Sequence, residues 1–225
     1  MSHADRAIEA SGENGPIGAI AYLAGIEDDR EAGAAHAGAM RDAYWQGEDL
    51  ALVVALGYAG ITRCFTAAAR ADPDTALELR STAKAMSYNL ASFTWDGWGD
   101  RAVSPLDLGA GLAAAEENLR LAHELDKGDL PVSRALWMLG AHLVSAGRRD
   151  EARQRFTAAA AGARTAAAEA EALLSEAFAA LCDVLEGAPG AEDDLERRLA
   201  ILGEAEDGPA FVEQVTTARE VFTGR

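Results

Sequence analysis

The most unusual chemistry-bearing residues lie in one short stretch, residues 94–101, which reads TWDGWGDR. Two tryptophans, two aspartates and an arginine occur there: Trp95, Trp98, Asp96, Asp100 and Arg101. Because two glycines fall within three residues, the stretch is not regular helix. The stretch fits a loop that recognises a partner or binds a small ligand. It fits equally a packing role, in which the indole rings fill the wider space between two helices. A Ca²⁺ site is not predicted, since the alternating oxygen ligands and the closing Glu are missing.

Other signatures of catalysis and metal binding are missing from the sequence. The four histidines show neither Glu-x-x-His nor His-Glu-x-x-His spacing: His3, His36, His123 and His142. Serine nucleophile elbows, phosphate-binding glycine loops and Cys-His pairs at a recognisable spacing do not occur either. The sequence therefore predicts no catalytic residue, no metal site and no cofactor, and we expect that the protein is not an enzyme.

The charge of the chain limits its partners. With 37 acidic and 20 basic residues, the formal net charge is −17, which repels nucleic acids and anionic membrane surfaces. A basic peptide or protein suits this field best, although solubility alone also explains the charge. We expect a protein or peptide partner, with no nucleic acid and no membrane.

The compartment is predicted from three features. Cys64 and Cys182 lie far apart without metal-ligand spacing, which is typical of core thiols in a reducing compartment. The N-terminus lacks the basic start and apolar stretch of a secretory signal. The longest apolar run, residues 50–61, is about eight residues short of the ~20 that a membrane span needs. We expect a cytoplasmic protein.

The composition also indicates the kind of genome. The chain has two lysines but eighteen arginines, with much Ala and Gly, which indicates a GC-rich bacterial genome.

The elements that must position these residues are helices. Ala, Leu, Glu and Arg fill segments of helical length, and alternating strand patterns are nearly absent. Cap, Pro and Gly signals predict about nine to ten helices: from Pro16, 28–46, 49–70, from Pro73 to Phe93 or Trp95, from Pro105 to near Gly128, 131–146, 149–162, 165–186, 193–203 and 209–222. No composition shift divides the chain, so we treat residues 1–225 as one helical domain.

One segment indicates how these helices pack. Residues 133–166 read SRALWMLGAHLVSAGRRDEARQRFTAAAAGARTA, and this segment resembles a tetratricopeptide repeat. The matching positions are Leu136, Leu139, Gly140, Leu143, Gly147, Asp150, Glu151, Ala152, Phe156 and Ala159. Small residues such as Gly140 let two helices approach closely, and larger ones fill the gaps between them. The segment departs from the family at Leu136 and Leu143, where aromatics are preferred, and at Arg164, where proline is preferred.

A second, weaker match lies upstream, over residues 84–126. Tyr88-Asn89-Leu90-Ala91 resembles the first helix of the repeat, and Ala115, Leu119 and Ala122 resemble the second. These two halves fit the pattern only if residues 94–105 form an insertion. The resemblance implies an all-α fold of antiparallel helical hairpins stacked as a short right-handed superhelix. Residues 1–71 would then be N-terminal helices, true repeats or a capping subdomain, and residues 167–225 would be capping helices.

The resemblance also implies a binding face. In this family the first helix of each repeat lines a concave groove that takes a segment of a partner. The corresponding positions are Tyr88, Asn89, Ser92 and Trp95 in the weaker repeat, and Arg134, Trp137, Met138, Ala141 and Ser145 in the stronger one. Rigid aromatics with Arg and Asn are typical of binding hot spots. In the alternative reading, Tyr88 and Trp137 pack on adjacent helices and no groove is open.

Two hypotheses follow from the sequence. The first is a protein-interaction module that binds a polypeptide segment through Tyr88, Asn89, Ser92, Trp95, Trp98, Arg134, Trp137 and Met138; a homodimer through the same surface is a variant. The second is a small-molecule sensor or enzyme whose pocket is covered by the loop from Trp95 to Arg101. The missing catalytic spacing favours the first hypothesis.

Overall fold

The computed structural model describes residues 1–47 and 49–224, and this part of the chain is all-α. It contains ten α-helices and no β-strand. The helices are α1 (His3–Ala24), α2 (Asp29–Asp42), α3 (Leu50–Ala68), α4 (Pro73–Phe93), α5 (Pro105–Glu124), α6 (Asp129–Ser145), α7 (Arg149–Thr165), α8 (Glu169–Leu185), α9 (Ala191–Gly203) and α10 (Gly208–Thr223). A π-helical turn, Ala43–Gly47, follows α2, and a 3₁₀ turn, Asp96–Trp98, lies between α4 and α5.

Several helices begin where the sequence predicts, because side-chain caps fix their first turns. Asp28, Asp49 and Asp72 each accept hydrogen bonds from backbone N–H groups of the first turn, at 2.8 to 3.1 Å. These bonds satisfy donors that have no partner inside the helix. The predicted starts of α2, α3 and α4 are therefore confirmed to within one or two residues.

The first helix begins earlier than predicted. Ser2 and Asp5 form a reciprocal capping box at its start, so the chain is helical from His3. At Asn14 and Gly15 the backbone leaves the helical region, with Gly15 at φ 62° and ψ −161°, and the helix resumes at Pro16. The predicted start at Pro16 thus corresponds to the second part of α1, and the preceding helical part was missed.

The chain forms two compact units. The first unit contains Met1–Thr94 and Pro105–Leu125, which is α1 to α5. The second unit contains Trp95–Ser104 and Asp126–Arg225, which is the inserted segment together with α6 to α10. In each unit, helices that are consecutive in the chain pack against one another through short connections, as in stacked helical hairpins.

In the first unit α3 packs closely on its neighbours through glycines. A Cβ at Gly57 would lie 3.0 Å from Leu90 and 3.1 Å from the Met40 sulfur, and one at Gly60 would lie 2.6 Å from His36. Glycine at both positions therefore serves close helix packing. With a mean hydropathy of 1.6, α3 is long and apolar enough to cross a membrane, but half of it is buried inside this unit. Core helices of soluble proteins have the same length and composition.

In the second unit arginines connect successive helices. Arg153 on α7 lies 3.1 Å from the Asp183 carboxylate on α8. Glu176 on α8 pairs with Arg164 of α7 at 2.6 Å and with Arg198 of α9 at 3.4 Å. The planar guanidinium can bind several carboxylate oxygens at once. The apolar core of this unit includes Phe156, Phe178 and Leu181.

Candidate functional site

The hairpin α6–α7 forms the base of the predicted binding face in the second unit. A Cβ at Gly140 would lie 2.7 Å from the Phe156 ring, so only glycine lets α6 approach α7 this closely. Ser133 on α6 donates a 2.7 Å hydrogen bond to the carbonyl of Ala159 on α7. These contacts hold α6 in a fixed orientation, with Trp137, Ala141 and Ser145 spaced along it at intervals of four residues.

The indole ring of Trp95 lies buried against this helix. Only 1% of Trp95 is exposed, and its Nε1–H donates a 3.1 Å hydrogen bond to the carbonyl of Ala141. The ring packs edge-to-face on Trp137, with centroids 5.6 Å apart, and lies 6.0 Å from Phe178 and 6.4 Å from Phe222. Residues from α6, α8 and α10 thus surround one side chain of the inserted segment.

The backbone that follows Trp95 is held on the same helix. The hydroxyl of Ser145 on α6 donates a 2.6 Å hydrogen bond to the carboxylate of Asp96. Gly97 lies directly against the Trp95 ring, where any Cβ would overlap it. Gly99, at φ 70°, approaches Thr217 of α10. Three positions of the predicted inner face, Trp137, Ala141 and Ser145, therefore contact a segment of the same chain.

The other predicted residues of the second unit have different surroundings. Met138 is buried, while Arg134 is exposed and forms a bidentate ion pair with Glu171 of α8. Trp98 is half-buried and packs edge-to-face on Trp95 at 4.8 Å. Trp137 is 7% exposed, and its indole N–H has no acceptor in the described part of the chain. Trp137 packs on the rings of Trp95 and Phe178, so its own ring is largely covered by residues of the second unit.

In the first unit the predicted residues lie on α4. Tyr88, Asn89 and Ser92 are half-buried there, within the last two turns of the helix. Phe93 follows them and is buried beneath Tyr44, with the two rings stacked 4.1 Å apart at 13°. The structure therefore brings Tyr88, Asn89 and Ser92 together on one helix. Asn89 and Ser92 are three residues apart, about one helical turn, so their side chains are neighbours on the helix surface.

Sequence reasoning missed two residues that the structure makes prominent. Trp45, in the π-helical turn after α2, is 70% exposed. Arg63 on α3 donates hydrogen bonds to the backbone carbonyls of Leu23, Ala24 and Ile26 and to the carboxylate of Asp29. No local pattern marks either residue, because exposure and long-range capping depend on how helices meet.

The titratable groups buried in the core are few. Burial lowers the pKa of His36, whose Nδ1 lies 2.8 Å from the carbonyl of Ala32. Burial also raises the pKa of Cys64 to about 11 and that of Cys182 to about 12. Both thiols are free and fully buried, as expected of core cysteines. Among residues 1–47 and 49–224, no three His, Cys, Asp or Glu side chains are grouped so that they could hold a metal ion.

Comparison with known proteins adds no assignment: no protein-family model, no curated protein and no solved structure matches this chain.

Proposed function

We propose that this chain is a polypeptide-binding module built from hairpins of the tetratricopeptide kind. One observation carries the proposal: the α6 positions that the repeat pattern assigns to a partner-binding face contact a segment of the same chain outside the α-helices, residues 95–98. This segment is bound by an aromatic anchor, a backbone carbonyl and a serine hydroxyl. Such contacts are typical of peptide recognition on a helical face.

The corresponding face of the first unit is the one we assign to a partner. The sequence of α4 resembles a first helix of the repeat, as that of α6 does, and Tyr88, Asn89 and Ser92 lie at the inner-face positions. Ala85 lies one turn before Asn89 and is exposed. A partner segment would pack along this stripe of α4, with Tyr88 as its aromatic contact and Asn89 as a hydrogen-bonding group.

The alternative of a small-molecule pocket under residues 95–101 receives no comparable support. The space below this loop holds the Trp95 ring, which is 1% exposed, and Gly97 lies directly on that ring. A ligand would need to displace packed aromatic side chains. Cavities that bind small molecules are usually preformed, so the interaction module is the function that we propose.

The test of the proposal compares wild-type protein with an Ala85→Arg variant and an Ala113→Arg control. Both alanines are exposed within helices of the first unit, so neither change disturbs the core. Proteins captured by the wild type from a lysate of the source organism are purified, and their direct binding is measured by calorimetry. We expect at least about tenfold weaker binding for Ala85→Arg alone. Equal binding by all three proteins, or no direct binding, would refute the α4 face as the site.

A further inference from the structure

Trp45 presents a large aromatic surface to solvent on the first unit. It is 70% exposed, and it lies in the π-helical turn Ala43–Gly47 rather than in a regular helix. Turns of this kind, in which one residue is inserted into the helix, are frequent at functional sites. Trp95, in contrast, is 1% exposed. Most of the Trp45 side chain is therefore accessible to a partner.

A rigid pair of rings supports Trp45. Its ring meets Tyr44 edge-to-face at 4.8 Å and 83°, and meets Phe93 at 6.3 Å and 82°. Tyr44 and Phe93 are themselves buried and stacked. Since Trp45 already packs on a fixed platform, a partner that contacts it loses little additional side-chain entropy. Such preorganised aromatic residues are efficient binding anchors.

The charge near Trp45 determines the kind of partner. Asp42, three residues before Trp45 in the sequence, accepts a hydrogen bond from Gln46, and Asp49, four residues after Trp45, caps the next helix. Arg41 is the basic residue of that turn. The whole chain carries a formal charge of −17, so a basic partner is attracted, whereas a second copy of this chain is repelled.

We propose that Trp45 is the anchor of a docking surface for a basic polypeptide segment. An arginine or lysine of the partner lies on the indole face, where the ring attracts cations, and the neighbouring carboxylates of Asp42 and Asp49 receive the other basic groups of the segment. This inference rests on the proposed polypeptide-binding function and adds to it a second contact point and the charge of the ligand.

The experiment uses a short fluorescent peptide of repeated Arg-Leu-Ala and a matched peptide in which Glu replaces Arg. Binding to the full chain is followed by anisotropy at about 0.15 M salt, where exposed charges are partly screened. We expect the Arg peptide to bind wild-type protein at least about tenfold more tightly than the Trp45→Ala variant. Trp45→Phe should retain part of the affinity, and Leu77→Ala, at another exposed apolar residue, should retain all of it.

The inference is overturned by equal binding of wild type and Trp45→Ala, by equal binding of the Arg and Glu peptides, or by no binding up to about 1 mM peptide. A dimer that sedimentation detects in wild type and not in Trp45→Ala would also overturn it, in favour of a second copy as the occupant. If a purified partner is lost by Ala85→Arg while Trp45→Ala has no effect, the proposed function stands and this inference alone fails.

Discussion

The indole N–H of Trp95 donates a hydrogen bond to the main-chain carbonyl of Ala141, 46 residues further along the chain. Trp95 lies two residues after the end of α4, and Ala141 lies one turn before the end of α6. The bond is buried among four aromatic rings, where water cannot replace it. The segment between α4 and α5 is therefore an integral part of the second unit's core.

This relationship predicts different costs for two similar substitutions. Trp95→Phe and Trp137→Phe remove the same atoms from buried sites, but only the Trp95 N–H has an acceptor among the described residues. We expect Trp95→Phe to reduce the free energy of unfolding by about 0.5–1.5 kcal/mol more than Trp137→Phe, the contribution of one hydrogen bond. Urea unfolding followed by near-ultraviolet circular dichroism measures both, since Trp95, Trp98 and Trp137 all belong to the second unit.

Alanine variants of Trp95 and Trp45 compare the truncation of a buried tryptophan with that of an exposed one. Truncation of a buried tryptophan should cost about 3–5 kcal/mol, whereas Trp45→Ala should cost less than about 1 kcal/mol because Trp45 is mostly exposed. Equal losses for Trp95→Ala and Trp45→Ala, or a larger loss for Trp137→Phe than for Trp95→Phe, would contradict the assigned contacts.

The close approach of α6 and α7 predicts the effect of Gly140→Ala. The added Cβ would lie 2.7 Å from the Phe156 ring, so we expect a loss of about 1–3 kcal/mol from overpacking. Gly109→Ala is the matched control: Gly109 lies within α5, nothing lies within 4 Å of its added Cβ, and the change should stabilise by about 0.5–1 kcal/mol. Thermal and urea unfolding of both variants give the comparison.

A double variant identifies the cause of the loss at Gly140. Phe156→Leu removes the ring edge that the new methyl group meets, so Gly140→Ala should cost less in the Phe156→Leu background than in wild type. If the cost is the same in both backgrounds, the two residues are not in contact and the close packing of this hairpin has another origin.

The sequence predicts those parts of the fold that depend on local chemistry. Asp28, Asp49 and Asp72 mark helix starts because a carboxylate at the cap bonds to the next backbone N–H groups. Gly140 and Phe156 indicate a tight hairpin because small and large residues must alternate across a close contact. Both kinds of signal lie within a few tens of residues, so they are visible without the tertiary structure.

How deeply each tryptophan is buried was not predictable from such local signals. Trp95 and Trp45 both follow helices and precede polar residues, yet one is 1% exposed and the other 70%. Their difference comes from which helices pack over them, α6, α8 and α10 in the case of Trp95. No change of composition marks the positions, near residues 94, 104 and 125, where the chain passes between units.

Arg63 provides a prediction for the first unit. Its guanidinium donates to three carbonyls near the end of α1 and to Asp29 at 3.0 Å, with its side chain 21% exposed. Arg63→Met keeps most of the volume but removes these donors, and hydrogen bonds to charged groups contribute about 1.5–3 kcal/mol. We expect a loss of stability in this range, measured by urea unfolding monitored by far-ultraviolet circular dichroism.

The control for Arg63 is Arg30, which pairs with Glu78 at 2.7 Å while both side chains are more than half exposed. Arg30→Met should change stability by less than about 1 kcal/mol, since exposed ion pairs contribute little. An equally small effect at Arg63 would show that its bonds to the carbonyls do not hold the turn between α1 and α2.

The two buried thiols predict a dependence of reactivity and stability on pH. Burial raises the pKa of Cys64 to about 11 and that of Cys182 to about 12, above the ~8.5 of an unfolded thiol. The stability that the two buried neutral thiols contribute is fully present below about pH 8.5 and is lost as pH rises towards their pKa values in the folded protein.

The same burial predicts how the thiols react. Because the thiolate is the reactive form, a thiol reagent at about pH 8 should label neither residue in the folded protein and both in denaturant. Between about pH 8.5 and 10.5 wild type should lose more stability than a Cys64→Ala/Cys182→Ala variant. Rapid labelling of either thiol in the folded protein, or the same dependence of unfolding free energy on pH in both proteins, would contradict these expectations.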